Sequence, residues 1–496
     1  MKRIGISLLI LISIVVFVLG FVEVDNKDEH VKEDTIVYSV TSIPNNLEKV
    51  TGLSKREEDI ICATSNGLVK KDNKGEIVSS LAKEINVKDD GIEYEFILND
   101  DIYWSNGEKI TPDDIRDFFK ELIKSEDEEN ISAALSIYGA KEFRSGKGTF
   151  DKGVAITTGE NLVKIRLNTK NDEFLNELTK PQYRLRKLLP VWSDMKNTYN
   201  ELLYSGDYKI TSMDDSQIVL TKNKNGNGPN TIDLVKDDNE ELAMASFEIG
   251  NRDIVMNPPN SQLGKLKEDN RLITLTSDEG HYLSINNKDN RFSLASRREI
   301  YKNIYQATEE FMGKNPQRVE SAEGSYFRED KEDLSKLQTR KVMINQSEDL
   351  REIDSLTLLA EDSDEGRDFC KFLVNWFKEN LSINLRYYLV ESNELNDFDL
   401  LDKYDIVLIN AKADYNERYD LYKELSYFLS DSEKDMLANL NNTNANELNK
   451  IEAKMFDDCT IVPVMFSNIN IAISNRVNNI IIDGNGNLDF SSLVSK

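Results

Sequence analysis

Only two histidines, His30 and His281, occur in 496 residues, so any nucleophile–histidine machinery rests on His281. That residue opens the strand-like segment HYLSIN (281–286) and has no candidate partner motif nearby. Cys62, Cys370 and Cys459 are isolated from one another. An odd, scattered set of three predicts buried free thiols rather than a disulfide framework, and no metal site built on His/Cys clusters is expected. The adjacent carboxylates Asp113 and Asp114 are of a type that does acid–base work, but they directly follow Thr111-Pro112, where helix capping accounts for them. No catalytic residue, cofactor or metal is assigned, and the chain reads as a non-enzyme. One stretch keeps its interest. In YDIVLINAKADYNERYD (404–420) the apolar run Ile406-Val407-Leu408-Ile409 breaks off into Asp414, Asn416 and Glu417. Ligands collect beyond the carboxyl ends of strands in open parallel α/β sheets. An acid delivered there on a rigid element suits a cationic group such as the α-ammonium of a peptide. The other reading of Asp414 is a solvated loop acid.

The elements that position this stretch are visible in the periodicity. SLTLLA (355–360) reads as a strand, and Asp364 and Glu365 open a helix in which Phe369, Phe372, Leu373, Trp376 and Phe377 follow one face. INLRYYLV (383–390) is the next strand, and YDIVLIN follows. Strand, helix and strand with short connections predict a βαβ unit and a parallel sheet. Earlier in the chain, TIVYSV (35–40) reads as a strand. IEYEFIL (92–98) alternates as another, and Ser105-Asn106-Gly107-Glu108 is a turn. Thr111 then caps a helix whose apolar face is Ile115, Phe118, Phe119 and Ile123. NLNNTNANELN (439–449) reads as a loop between helices.

The length predicts two or three domains. With 89 acidic against 62 basic residues and a formal net charge of -27, nucleic acid is excluded as a partner, because its phosphates are repelled. Lys2 and Arg3 precede an uncharged run from Ile4 to Val22, which as a helix spans roughly 28 Å, close to the thickness of a bilayer's hydrocarbon core. The basic flank stays inside, so the rest of the chain is exported. The segment is either a retained anchor helix or a cleaved signal; Phe21 stands where a lipid-bearing Cys follows VLG-type sequences in lipoproteins.

Seven segments, in order, resemble the family 5 extracellular solute-binding proteins, the peptide-binding subunits of ABC importers. They are SVTSIPNNLEKV, the block from NGLVKKDNKGEIV to WSNGEKITPDDI, LYSGDYKITSMDDSQIVLTKN, ASFEIGNRDIV, HYLSINNKDNRFS, ADYNE and ELNKIEAKMFDDCTIVPVMF. The most specific is W-S-N-G-x-x-x-T-x-x-D, Trp104 to Asp114. The resemblance implies an α/β, bilobal periplasmic-binding-protein-like fold of type II with a small extra domain, after the N-terminal hydrophobic helix. Residues 1–34 form the anchor or signal segment and linker. Lobe I holds 35–50, 155–279 and 467–496, the extra domain 51–154, and lobe II 280–466, with hinge strands crossing near Gly280 and Phe466. By the same resemblance a peptide is enclosed between the lobes. Asp414 of the ADYNE segment pairs with its free amino group, and Tyr415, Asn416, Ala411 and Phe466 lie beside it. The expected partners are a peptide, ABC permease subunits and the membrane through the N-terminal helix, for a monomer on the extracytoplasmic face of a bacterial cell membrane. Departures from the family pattern, among them Ala411 where an aromatic is common and Gly206-Asp207-Tyr208 in place of G-P-Y, leave an alternative: a non-transport member acting as a surface peptide sensor or scaffold.

Overall fold

The computed structural model describes residues 34–88, 91–224, 226–286, 291–328, 353–381, 383–413, 418–440 and 445–495. These fall into two compact units. The first comprises residues up to Tyr38, Ser42–Lys236 and Arg476 onward; the second comprises Ser39–Thr41 and Asp237–Asn475. The crossings expected near Gly280 and Phe466 fall inside two long strands of the second unit, Leu272–Ile285 and Ile461–Ile473, which pair with each other from Leu272↔Ala472 to Ser284↔Ile461. Pairing over that length ties both strands together within the second unit. The hydrophobic segment 1–22 lies outside the described residues, and among the described residues no helix is long and apolar enough to cross a membrane.

In the first unit, Ala82–Lys88, Glu93–Leu98, Leu162–Arg166 and Ile156–Thr158 form an antiparallel sheet in that spatial order. Alternation along Glu93–Leu98 turns Tyr94, Phe96 and Leu98 inward. The Pro112–Ser125 helix covers them with Ile115, Phe118, Phe119, Leu122 and Ile123. Its start is a capping box: Thr111 Oγ1 accepts from the Asp114 N–H at 3.2 Å, and the Asp114 carboxylate accepts from the Thr111 N–H at 2.9 Å. The Ser105–Gly107 turn is closed by the Trp104 N–H donating to the Glu108 carbonyl at 2.8 Å. A second antiparallel set, Tyr208–Met213, Gln217–Lys222 and Thr231–Lys236, completes the unit together with the start of the Thr35–Val40 strand.

The second unit is built on a mixed sheet. Asn384–Val390, Ser355–Glu361 and Ile406–Lys412 are neighbours in that order and run parallel. Ile406–Lys412 then pairs antiparallel with Leu272–Ile285, which pairs antiparallel with Ile461–Ile473. The expected βαβ unit is present, its crossover being the Asp364–Asn380 helix. Phe311 of the Leu294–Lys314 helix meets Phe369 and Phe372 of that crossover at centroid distances of 5.2 and 5.4 Å. The loop expected at 439–449 gives way at Ala445 to a helix, Ala445–Asp457. Ile451, Met455 and Phe456 are buried there, and their helical spacing overrides the low propensity of the Asn-rich start.

Candidate functional site

Glu279 and His281 stand two residues apart on the Leu272–Ile285 strand, hence on the same side of the sheet. The register against Ile461–Ile473 shifts between Thr276 and Gly280 and again between His281 and Tyr282. Such bulges re-aim side chains locally. Gly280, at this kink, admits no side chain: a Cβ there would lie 2.6 Å from the Tyr282 hydroxyl, which is itself held by donating to the Tyr326 carbonyl at 2.6 Å. His281 is only 2% exposed.

Three other elements converge on its ring. Asn410, directly opposite on Ile406–Lys412, places Oδ1 2.8 Å from His281 Nδ1. Its Nδ2 donates to Glu361 at 3.0 Å, at the carboxyl end of the Ser355–Glu361 strand, which fixes the amide so that Oδ1 faces the ring and Nδ1 is the donor. On the other side, Ser467 Oγ lies 2.6 Å from His281 Nε2 and donates to Glu365 at 2.7 Å. Glu365 sits in the first turn of the Asp364–Asn380 helix, capped by Ser363 Oγ accepting from the Gly366 N–H at 3.1 Å. Its carboxylate is 3.6 Å from Nε2. Arg318 reaches Glu365 at 3.8 Å and Asp368 at 2.8 Å. Arg328 fixes the backbone behind the site, donating to the Ser277 and Ser467 carbonyls at 3.1 and 2.7 Å.

The hydrogen-bond count matters chemically. Ser467 has one hydroxyl hydrogen, which it donates to Glu365, while its oxygen stands within hydrogen-bond distance of Nε2. Ser467, His281 and Asn410 also have the spacing of a nucleophile, its base and the base's orienting group. Here, however, the serine hydroxyl is drawn to Glu365, and Ser467 is 5% exposed. Glu279 is exposed as a residue, but burial of its carboxyl end raises its pKa above the usual glutamate value; the Glu365 and Glu361 carboxylates add to the rise and His281 opposes it. A cleft of about 560 Å³ within the second unit is lined by Glu279, Glu361, Glu365, Asp368, Asn410 and Ser467 among others. Carboxylates dominate its charged lining, so the cleft suits a cationic group.

The carboxyl-end rule for parallel strands leads to this place, since Glu361, the helix start at Glu365 and Asn410 all lie at that end of the sheet. Asp414, Tyr415 and Asn416 lie outside the described residues, just past the Ile406–Lys412 strand that carries Asn410. Ala411 and Phe466 are buried at 7% and 3%, each paired with Gly280 on its two neighbouring strands. Glu279 was not singled out in the sequence, Glu365 was read only as opening a helix and His281 was set aside, because the histidine's ring partners are 129 and 186 residues away and no local motif brings them together.

The profile of the bacterial extracellular solute-binding proteins, family 5, matches residues 76–427, more than two thirds of the chain. The oligopeptide-binding protein OppA of Bacillus subtilis is 24% identical over 287 residues, covering 54% of this chain and 52% of that one, so the chain spans about half the length of this curated relative. Among solved structures, the Escherichia coli murein tripeptide-binding protein MppA is similar with a TM-score of 0.65 at 18% identity, covering 94% of this chain and 99% of that one. Listeria monocytogenes OppA bound to peptide gives a TM-score of 0.65 at 14% identity, with 94% and 99% covered. These likenesses carry the mixed α/β fold of periplasmic peptide-binding proteins over nearly the whole chain, and the profile match carries membership: the chain belongs to the bacterial extracellular solute-binding proteins of family 5.

Proposed function

We propose that this chain is an extracytoplasmic receptor that captures peptides and delivers them to an ABC importer, and that it catalyses no reaction. The observation that carries the reading is the family match over residues 76–427, joined by relatives named oligopeptide- and dipeptide-binding proteins. Those names favour transport over a surface sensor or scaffold. The acidic cleft of the second unit supports a ligand with a cationic end. In this reading Asp414, four residues beyond Asn410, pairs with the peptide's ammonium group, and Tyr415, Asn416, Ala411 and Phe466 shape its surroundings. The lobe boundaries near Gly280 and Phe466, the small extra domain over 51–154 and the monomeric state belong to the same proposal. So does the N-terminal segment, which holds the protein at the membrane as an anchor or is cleaved after export.

The full-length chain, purified in detergent and mixed with a peptide library, is expected to retain peptides recoverable by mass spectrometry. Ligand at about a hundred times its dissociation constant adds about 2.7 kcal/mol to stability, which a thermal melt detects. Asp414→Ala is expected to abolish both effects while leaving the unliganded melt unchanged. A library in which no peptide raises the melting temperature of the unsubstituted protein overturns the receptor reading.

A further inference from the structure

We infer that Glu279, His281 and Glu365, in the acidic cleft of the second unit, form a binding site for a divalent transition-metal cation of the zinc class. The three residues each offer one donor atom, and these atoms all lie within 4.8 Å of one another. Zinc bound tetrahedrally at about 2.1 Å holds its donors about 3.4 Å apart. His281 Nε2 and the Glu365 carboxylate already stand at 3.6 Å. Glu279 is exposed as a residue, with its carboxyl end turned into the cluster.

The outer contacts have the form that metal-bound histidines require. A ligating imidazole donates its second ring N–H to a fixed acceptor, which sets the tautomer and aims the bare nitrogen at the metal. His281 Nδ1 does this to Asn410 Oδ1 at 2.8 Å, and Asn410 is anchored in turn on Glu361 at 3.0 Å. On the other side of the ring, Ser467 Oγ lies 2.6 Å from Nε2 and donates to Glu365 at 2.7 Å, so serine, imidazole and carboxylate converge on one point. A cation between Nε2 and the two carboxylates takes over the contact that the Ser467 hydroxyl makes to Nε2. One nitrogen and two carboxylate oxygens form a donor set for zinc or a neighbouring first-row ion; calcium and magnesium prefer oxygen alone.

The test uses the full-length chain without a histidine tag, stripped with EDTA and titrated calorimetrically with zinc chloride. Cobalt(II) serves as a spectroscopic probe, because tetrahedral nitrogen and oxygen ligation gives an intense visible band. One saturable site is expected. Glu279→Gln and Glu365→Gln should each weaken it at least about tenfold, and Asn410→Ala, which touches no metal, by about tenfold through loss of imidazole orientation. Glu279 is exposed, so its variant remains informative even if a change at buried His281 prevents folding. Absence of a saturable site below 100 µM zinc in the unsubstituted protein overturns the inference, as does unchanged affinity in both glutamine variants. Running the peptide library with and without EDTA separates the two readings, since metal binding without peptide binding sinks only the receptor, and the reverse sinks only the metal site.

Discussion

Asp59 has no exposed surface, yet it carries a carboxylate with four partners. The Leu488 N–H and Asn487 Nδ2 donate to Oδ1 at 2.8 and 3.2 Å, the Tyr38 hydroxyl reaches Oδ2 at 3.4 Å, and Arg56 stands 3.3 Å away. Burial nevertheless wins over Arg56 and the two donors, and pushes its pKa from 3.8 up to about 6. The folded chain therefore holds a proton that the unfolded chain surrenders near pH 4. This group's stabilisation is complete below about pH 4 and is lost as the pH rises through about 6. Asp59→Asn removes the titration, so the melting temperature of the unsubstituted protein, measured relative to that variant, should fall between pH 4 and pH 6; a constant difference refutes the argument. The thiols make a second residue-level case. Burial pushes Cys62, Cys370 and Cys459 each up to about 12, and although Cys62 is half-exposed as a residue, its sulfur is withdrawn from water. A disulfide-exchange reagent at pH 8 should find no reactive thiol in the native protein and three after denaturation. Scarcity and separation in the sequence were enough to read these cysteines as free. The same view misled at His281, whose scarcity was visible but whose partners were not, because sheet register and a bulge assemble them from four segments.

The Pro112–Ser125 helix shows what a sequence reveals without tertiary context. Its apolar positions, its proline in the first turn and its capping threonine are local signals, and each has a local structural counterpart. Thr111→Ala should cost about 1 kcal/mol, seen as a lower melting temperature. Asp114→Ala should cost more, because the same carboxylate also meets Lys187 at 3.0 Å and the Trp104 indole N–H at 3.4 Å. Equal effects of the two substitutions would show that those extra contacts contribute nothing. The βαβ crossover was equally legible, since its strands and helix are consecutive and their periods distinct. What the sequence did not disclose is the antiparallel half of that sheet. Leu272–Ile285 lies beside Ile406–Lys412 and Ile461–Ile473 although more than a hundred residues separate it from either, and period-two alternation says nothing of the neighbour's identity or direction. The helix Ala445–Asp457 was missed for a different reason: its asparagine-rich start masks an apolar face that burial against the core decides.

At the scale of the molecule, the ordered series of weak motifs identified the family where no single one sufficed, and the family profile covers the same middle of the chain. The chain passes between its two units after Lys236 and again after Asn475, so the first unit is built from both ends of the sequence. That arrangement has a temporal side. Asp59 is made early in translation, but Asn487 and Leu488, which hydrogen-bond its carboxylate, come after the entire block Asp237–Asn475. Nascent chains must therefore carry the first unit with an open seam while more than two hundred residues are added, and only the arrival of Leu488 and Phe490, stacked edge-on against Tyr38 at 5.7 Å, lets that seam zip shut.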